Sequence, residues 1–245
     1  MKKQTYPFPL PLDPLQIARQ RNDILNVLCS SDAGFSNLPV SSLKPETLQS
    51  MLRLYDALFF SGALSARLPS LCITLSSRMT SSAGKFICTR GPFRRIKYAE
   101  IRMSSDFLFR LENGPFELNG LSVDTPQEAF LIVFEHELCH AIETLFFGET
   151  SHSSRFLSIA NGLFGHTATR HRLPTRRQAA FDTGLTIGSR VSFPYQNNSL
   201  FGVVTYIGKM ATVMVPSHRG DYQDKNGHRY TKYRVPLSKL TLIST

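Results

Sequence analysis

Apolar residues recur at helical spacing in two long stretches of the chain. Residues 45–60 carry apolar side chains on one side, which predicts an amphipathic helix packed against a core. Residues 125–147 are apolar around most of the helix circumference, and this pattern predicts a helix buried on all sides. Thr125 and Glu128 form a capping box at the start of this second helix, and Gly148 ends it. The core is therefore expected to form around the second helix.

Short runs rich in β-branched and aromatic residues predict strands at two places in the chain. Residues 71–75, 85–88 and 98–103 precede the buried helix and suit a small sheet. Residues 185–245 contain further short runs, bounded by Gly, Pro and Asn turns, in which apolar and polar residues alternate. This second pattern is typical of a small closed barrel and resembles SH3-like or KOW-like barrels. The predicted fold class is α+β: a domain with a small sheet and a buried helix, followed by a small all-β barrel.

Changes in composition divide the chain into four predicted segments. Residues 1–42 form an N-terminal extension that is Pro-rich at its start, with a short helix expected at residues 15–28. Residues 43–172 form the α+β domain. Residues 173–184 form a linker, and residues 185–245 form a basic barrel.

Four ionisable residues interrupt the apolar surface of the predicted buried helix: Glu135, His136, Glu137 and His140. Burying such groups is costly unless they are paired or bind a metal ion. Two histidines four residues apart lie on one face of a helix, where both imidazoles can bind one Zn²⁺. The glutamate between them can then act as the general base on a water. The spacing predicts zinc as the cofactor, His136 and His140 as ligands, and Glu137 as the catalytic residue.

A catalytic zinc ion usually takes three protein ligands and leaves one position open. His152 is the third candidate, because it follows the helix after one short loop and begins a second apolar run. Glu143 and Glu149 are the alternative ligands. Glu143 lies one turn after His140 on the same face, so it could instead orient a ligating histidine through a hydrogen bond.

This arrangement resembles the SprT-like (Spartan-type) zinc metalloproteases. The resemblance rests on His136-Glu137-x-x-His140, the loop to His152, and the following Arg155-Phe156. It extends over roughly residues 43 to 170 and includes residues 76–84, which resemble the first hairpin of that family. Ser153 stands where the family usually has glycine.

The resemblance implies both a fold and an activity. In that family the three histidines bind zinc and the glutamate is the catalytic base, on a zincin-type fold. Well-studied members cleave proteins crosslinked to DNA. The function implied is therefore a zinc-dependent endopeptidase whose protein substrates are associated with DNA or crosslinked to it. The predicted barrel would replace the zinc ribbon found at this end of many members.

Basic residues are concentrated at the C-terminal end of the chain. Residues 170–245 contain 12 Lys and Arg against 3 Asp and Glu, whereas residues 1–169 contain 16 against 15. This excess indicates a polyanionic partner, most commonly nucleic acid, although a solubilising surface is the alternative. DNA is the expected partner, with single and double strands both open. The candidate contacts are side chains able to pair with phosphates or stack on bases: Arg94, Arg95, Lys97, Arg176, Arg177, Arg229, Tyr230, Lys232, Tyr233 and Arg234.

The remaining composition excludes several classes of protein. The four cysteines contain no Cys-x-x-Cys pair, so neither a zinc ribbon nor a disulfide framework is indicated. No apolar run is long enough to span a bilayer, and no convincing signal peptide is present. These features predict a cytoplasmic protein, with a nucleoid or nuclear location also allowed.

Two other functions remain open at this stage. The first is a non-catalytic adaptor that binds nucleic acid and holds a structural zinc ion. The second is a zinc hydrolase that acts on another peptide or amide substrate. An intact general base at Glu137 argues against the adaptor, because a structural zinc site needs no base.

Overall fold

The computed structural model describes residues 6–38, 43–109, 111, 114–170, 184–196, 198–208 and 210–243. The chain divides into two compact units, Met1–Leu173 and Pro174–Thr245. The extents of the four predicted segments stay a prediction. None of the described helices is long and apolar enough to cross a membrane.

The helices of the first unit surround one long central helix. Their bounds are Pro14–Ser31 (α1), Ala33–Ser36 (α2), Pro45–Phe60 (α3), Ala63–Arg67 (α4), Ser105–Leu108 (α5), Pro126–Phe147 (α6) and Ser154–Phe164 (α7). The predicted capping box at the start of α6 is confirmed, since the Thr125 side chain accepts from the Glu128 N–H and the Glu128 carboxylate accepts from the Thr125 N–H. Gly148 ends α6 in the left-handed conformation, with φ of 81°. Every residue of α6 from 129 to 144 is buried, as its all-round apolar pattern predicts.

Helix α1 belongs to the core of the first unit. Its buried residues Ile17, Ile24 and Leu28 join the same apolar cluster as α6. The Leu12 N–H just before α1 donates to the Gly162 carbonyl at 2.8 Å. The sequence sets residues 1–42 apart as an extension, whereas residues 6–38 pack within the first unit. The reason is that Ile17, Ile24 and Leu28 form a helical stripe that is buried only by this packing.

The sheet of the first unit is built around its last strand. The strands are Leu71–Ser76 (β1), Gly84–Arg90 (β2) and Ile96–Ser104 (β3), in the order β1-β3-β2. Strand β3 is parallel to β1 and antiparallel to β2. The prediction of a hairpin at residues 76–84 is wrong, because β1 and β2 lie on either side of β3 and do not pair with each other. The connecting segment instead packs on the end of β3, where the Ser104 N–H donates to the Ala83 carbonyl at 2.7 Å.

A small second hairpin precedes the central helix. Strands Phe116–Leu118 (β4) and Leu121–Val123 (β5) are joined at Asn119 and Gly120, which have φ values of 52° and 77°. Positive φ at both central residues is the geometry of a two-residue turn that favours Asn-Gly. The turn brings Asn119 into contact with the segment after α7, since the Thr167 and Ala168 N–H groups both donate to the Asn119 carbonyl at 2.9 Å.

The second unit is an antiparallel sheet. Its strands are Arg190–Tyr195 (β6), Asn198–Ile207 (β7), Met210–Pro216 (β8), Tyr222–Gln223 (β9), Arg229–Pro236 (β10) and Thr241–Leu242 (β11). They pair in the order β11-β6-β7-β8-β10-β9. One face carries its own apolar core, which includes Val191, Phe193, Val204, Val213 and Val235. The fold class is confirmed as an α+β domain followed by a β region, and closure of the sheet into an SH3-like or KOW-like barrel stays a prediction.

Candidate metal centre

Three histidine side chains meet on one side of α6. His136 and His140 lie one turn apart on the helix, and His152 lies in the loop between α6 and α7. The Nε2 atom of His136 is 3.0 Å from that of His152 and 3.2 Å from that of His140. The three side chains offer ligand atoms that all lie within 4.8 Å of one another, so they could hold one metal ion.

The spacing of these nitrogens suits a tetrahedral ion. Two nitrogens at about 2.0–2.1 Å from a tetrahedral zinc ion are separated by about 3.3 Å. The distances of 3.0 and 3.2 Å between the Nε2 atoms are close to that value. His136 is buried, His140 is nearly so at 9% exposure and His152 is exposed, so a metal held by all three would face solvent on one side. The donor set therefore fits a metal site with an accessible open position.

A hydrogen-bond relay fixes the ring of His140. The Thr150 hydroxyl donates to Glu143 Oε2 at 2.9 Å and lies 2.6 Å from His140 Nδ1. Because the single hydroxyl proton is directed at Glu143, Thr150 accepts the proton of His140 Nδ1. The neutral ring then carries its lone pair on Nε2, the atom that faces the other two histidines. Burial lowers the pKa of His140 to about 4, with His152 adding to the shift and Glu143 opposing it.

Glu143 organises the loop that presents His152. Its Oε2 atom also accepts from the Ser151 N–H at 2.9 Å, and its Oε1 atom accepts from Arg155 Nε at 2.7 Å. Glu143 therefore reaches His140 through Thr150 rather than directly. Both of its oxygens are engaged by the loop and by α7. The exposed Glu149, the other alternative ligand, lies 3.4 Å from Arg155 Nη2.

The ring of Phe156 lies beneath the three imidazoles. Its centroid is 4.4 Å from that of His140, 5.0 Å from that of His136 and 5.2 Å from that of His152. Phe156 is fully buried in the first turn of α7. An apolar wall on this side restricts the rings to a few orientations and keeps water from one side of the site.

Glu137 lies against the edge strand of the sheet. It is buried, and its carboxylate accepts from the Phe86 backbone N–H of β2. A side chain at Gly84 would collide with it, because a Cβ there would lie 2.6 Å from Glu137 Cγ. Glycine at this position thus allows the carboxylate to lie beside β2. Burial raises the pKa of Glu137 to about 8, and the Phe86 N–H opposes part of this shift.

Glu135 points away from His136, His140 and His152 and forms its hydrogen bonds on the opposite side of α6. Arg21 of α1 donates to it twice, through Nε and Nη2, at 2.8 Å each. Tyr55 of α3 donates to it at 2.8 Å, and His166 Nε2 lies 2.9 Å away. Burial alone would raise the pKa of Glu135, but the Arg21 charge and the hydrogen bonds from His166 and Arg21 outweigh it and lower the pKa to about 2. This carboxylate therefore holds three elements together in its charged form.

A cleft of about 470 Å³ opens beside His152. Gly120, Leu157 and Arg170 contribute to its lining. One wall of the cleft is the segment after α7. The Asn119 N–H holds this segment in place by donating to the Arg170 carbonyl at 3.0 Å. A substrate segment could therefore lie directly beside the open side of the histidine cluster.

The family comparison agrees with this geometry. The model of the SprT-like family matches residues 48–177, which is more than half of the chain. The chain belongs to the SprT-like family. No curated protein gives a significant match to the sequence. Membership of the SprT-like family and the three clustered histidines together support a metallopeptidase-type domain with a metal site.

The predicted nucleic-acid contacts of this SprT-like protein lie in different parts of the chain. Arg95 and Lys97 are exposed in the first unit, at the β2–β3 connection. Arg229, Lys232 and Arg234 are exposed on β10, and Tyr230 is partly exposed there. Tyr233 points to the face of β10 opposite Lys232 and Arg234, where its ring centroid lies 5.6 Å from that of Phe193. The side chain of Arg94, and both Arg176 and Arg177, lie outside the described part of the chain.

The roles of several residues around the histidines could not be predicted from the sequence. Thr150 and Gly84 have no local pattern that links them to the site, because each contacts it through the fold. Arg21 does carry a signal, since it interrupts the apolar stripe of α1 between Ile17 and Ile24. A cation in that position requires a buried partner, and Glu135 is the carboxylate that meets it.

Proposed function

We propose that this SprT-like protein is a zinc-dependent endopeptidase that acts on DNA-associated or DNA-crosslinked proteins. The observation that carries the proposal is the meeting of three imidazole Nε2 atoms on one side of a helix that also bears a buried glutamate. His136, His140 and His152 would hold the zinc ion. Three neutral nitrogen ligands with a solvent-facing fourth position are the donor set of catalytic zinc sites.

Zinc bound there would polarise a peptide carbonyl and make a water more acidic. The residues of the chain prepare the site for this chemistry. His140 stays neutral at pH 7 because its pKa is lowered to about 4. The hydrogen bond between His140 Nδ1 and Thr150 keeps the lone pair of His140 on Nε2, which faces the other two histidines. Both features remove the cost of stripping a proton from the ligand when metal binds.

Glu137 is the proposed general base. It would accept the proton of the attacking water and deliver it to the leaving amine. Its position between the two helical histidines keeps it on the metal-binding turn of α6. The Phe86 N–H and the Gly84 backbone hold the carboxylate in place from the other side. A positive ion in the site would favour its ionised form and counteract the effect of burial.

Strand β2 offers a binding edge for the substrate backbone. Among the described residues it pairs with β3 alone, so no strand covers its other edge, although the Phe86 N–H is already bonded to Glu137. An extended peptide could add there as a further strand. Because Glu137 is bonded to Phe86 of this strand, such a peptide would run close to the general base.

The basic second unit supplies the proposed link to DNA. Attachment of this unit to DNA would raise the concentration of nearby DNA-bound proteins at the peptidase site. A non-catalytic zinc adaptor would also use such a unit, but it would have no use for Glu137.

DNA should stimulate cleavage by this protein. We expect single-stranded DNA to increase self-cleavage by zinc-loaded protein about tenfold or more, because two copies on one strand meet at high local concentration. Self-cleavage and casein cleavage are followed on gels with and without DNA, with Glu137→Gln as the control. Cleavage at the same rate with and without DNA would support the proposed peptidase activity and contradict the link to DNA. Bound zinc without any cleavage would favour the adaptor.

Replacement of His152 should weaken zinc binding. We expect His152→Ala to lose more than about 100-fold in zinc affinity, because removal of a ligand costs more than removal of a group that only orients one. The affinity is measured by competition with a chromophoric chelator. His218→Ala, which removes an exposed histidine of the second unit, should bind zinc like the unaltered protein. Full affinity in His152→Ala would assign the third position to Glu143 or Glu149.

A further inference from the structure

The strands of the second unit carry positive charge without any acidic residue. Among the described residues, β6 to β11 contain no Asp or Glu, and their charged residues are Arg190, Arg229, Lys232 and Arg234. The acidic residues of this region lie in the turns around β9, at Asp221 and Asp224. Asp224 is engaged within its own turn, where it accepts from the His228 N–H at 2.9 Å. The cations of the strands therefore have no carboxylate beside them within the sheet.

The sheet register places three of these cations on one face, called here the outer face. The outer face is the one opposite the apolar core, and it includes Arg190, Phe201, Tyr206, Met214, Lys232 and Arg234. Arg190 pairs with Val203, Val203 with Met214, and Met214 with Lys232, so one row of side chains crosses four strands. Strands are spaced by about 4.8 Å, which puts the two cations at the ends of this row about 14 Å apart.

Large aromatic rings lie exposed on the same face. Phe201 is 59% exposed and Tyr206 is 60% exposed. Strict alternation along β7 would turn Tyr206 inward, but the register shifts between Val204 and Tyr206. This β-bulge leaves both Thr205 and Tyr206 exposed while Ile207 returns to the core. The bulge therefore places a second ring on the outer face instead of in the core.

A third ring lies beside the cations. The Nζ atom of Lys232 is 5.2 Å from the centroid of Tyr222, which is 45% exposed. Tyr222 pairs with Tyr230 at the edge of the same face. The outer face thus alternates flat rings with positive charges across its width. Exposed rings of this size cost free energy in water unless a partner covers them.

We propose that the outer face of the second unit binds single-stranded nucleic acid, with Phe201 and Tyr206 stacking on bases and Arg190, Lys232 and Arg234 pairing with phosphates. An open β-sheet face with exposed aromatic residues is a common platform for unpaired bases. This inference deepens the DNA-related part of the proposed function, but it concerns binding alone and does not need peptidase activity.

The chemistry of the face favours this partner over others. A DNA duplex presents phosphates but hides the flat sides of its bases, so it would leave the rings uncovered. An apolar protein segment would cover the rings but bury three cations without counterions. An anionic membrane surface could satisfy the charges, but Phe201 lies within strand β7 rather than at a loop tip that could insert into lipid.

Fluorescence anisotropy of the zinc-loaded full chain with labelled oligothymidine of about 20 nucleotides tests the inference. We expect tighter binding to this strand than to a duplex of equal length at the same salt concentration. Phe201→Ala and Tyr206→Ala should each weaken binding by about 5- to 100-fold without changing the salt dependence. Lys232→Gln should lower the slope of log affinity against log salt by about 0.7, the value for one phosphate contact in a single strand.

Matched variants off the outer face serve as controls. Lys225→Gln removes the same charge from an exposed turn, and Tyr195→Ala removes an exposed ring that packs against Tyr233. Both should bind the oligonucleotide like the unaltered protein, with thermal unfolding confirming that each variant is folded. Equal binding of strand and duplex, full affinity in Phe201→Ala, or binding to anionic vesicles but not to the oligonucleotide would each overturn the inference. Binding without cleavage would contradict the proposed peptidase and leave this inference standing.

Discussion

Replacing Glu137 with glutamine should abolish peptide cleavage while the protein still binds one zinc ion per chain. Glutamine keeps the size of the side chain and can still accept from the Phe86 N–H, but it cannot take a proton from water. General-base catalysis contributes about 10²- to 10⁴-fold to rate, so we expect cleavage to fall by about 1000-fold. Casein cleavage and metal content are measured on the same zinc-loaded samples. Glu149→Gln, which neutralises an exposed carboxylate nearby, serves as the control and should cleave normally.

The same variant should remain folded, and the pKa of Glu137 indicates why. Burial raises the pKa to about 8 in the folded protein, above the value of about 4.3 in an unfolded chain. Metal-free protein therefore loses stability as the pH rises from about 4.3 to 8, since only the unfolded chain ionises this group freely. Glutamine removes this loss. A zinc-loaded Glu137→Gln protein that cleaves casein at the normal rate would contradict the role of Glu137 as general base. A loss of cleavage supports this role only in samples that contain one zinc ion per chain, which is why metal content is measured on the same samples.

Replacing Arg21 with methionine should destabilise the first unit strongly. The change leaves the Glu135 carboxylate buried without its counterion, and such a loss typically costs about 3–5 kcal/mol in the free energy of unfolding. Urea unfolding at pH 7 measures the difference. Arg19→Met is the matched control, because Arg19 is exposed on the same helix and should change the free energy of unfolding by less than about 0.5 kcal/mol.

Acid sensitivity provides a second readout for the Arg21–Glu135 pair. The pKa of Glu135 is lowered to about 2 in the folded protein, so its ionised form stabilises the fold above about pH 4.3 and this contribution is lost as the pH falls toward 2. Arg21→Met should reduce this pH dependence. Adding Glu135→Gln to Arg21→Met should restore part of the stability, because no buried charge then remains unpaired. Equal stability of the Arg21→Met and Arg19→Met proteins would contradict the assigned role.

Local signals were sufficient to predict the centre of the site. The boundaries of α6 follow from a capping box and a glycine, both of which act within a few residues. The facing of His136 and His140 follows from helical periodicity alone. His152 could be proposed because a short loop after a helix returns the chain to the same neighbourhood.

The rest of the molecule depends on contacts between distant residues. The pairing of Arg21 with Glu135 joins positions 114 residues apart, and no periodicity specifies such a partner. The parallel pairing of β1 with β3 depends on how the intervening segment crosses, which strand propensity does not encode. The sequence groups Tyr233 with its basic neighbours as a candidate contact, but the period of two along β10 turns its ring to the core face.

The most direct test of the proposed peptidase is reconstitution with zinc. Protein stripped of metal by a chelator is titrated with zinc, while casein cleavage and bound metal are followed together. The proposal predicts no cleavage by the stripped protein and a rise in activity that saturates at one zinc ion per chain. His152→Ala should show no such rise at the same zinc concentrations. Cleavage that persists after zinc removal, or a filled zinc site that cleaves neither casein nor the protein itself with or without DNA, would contradict it.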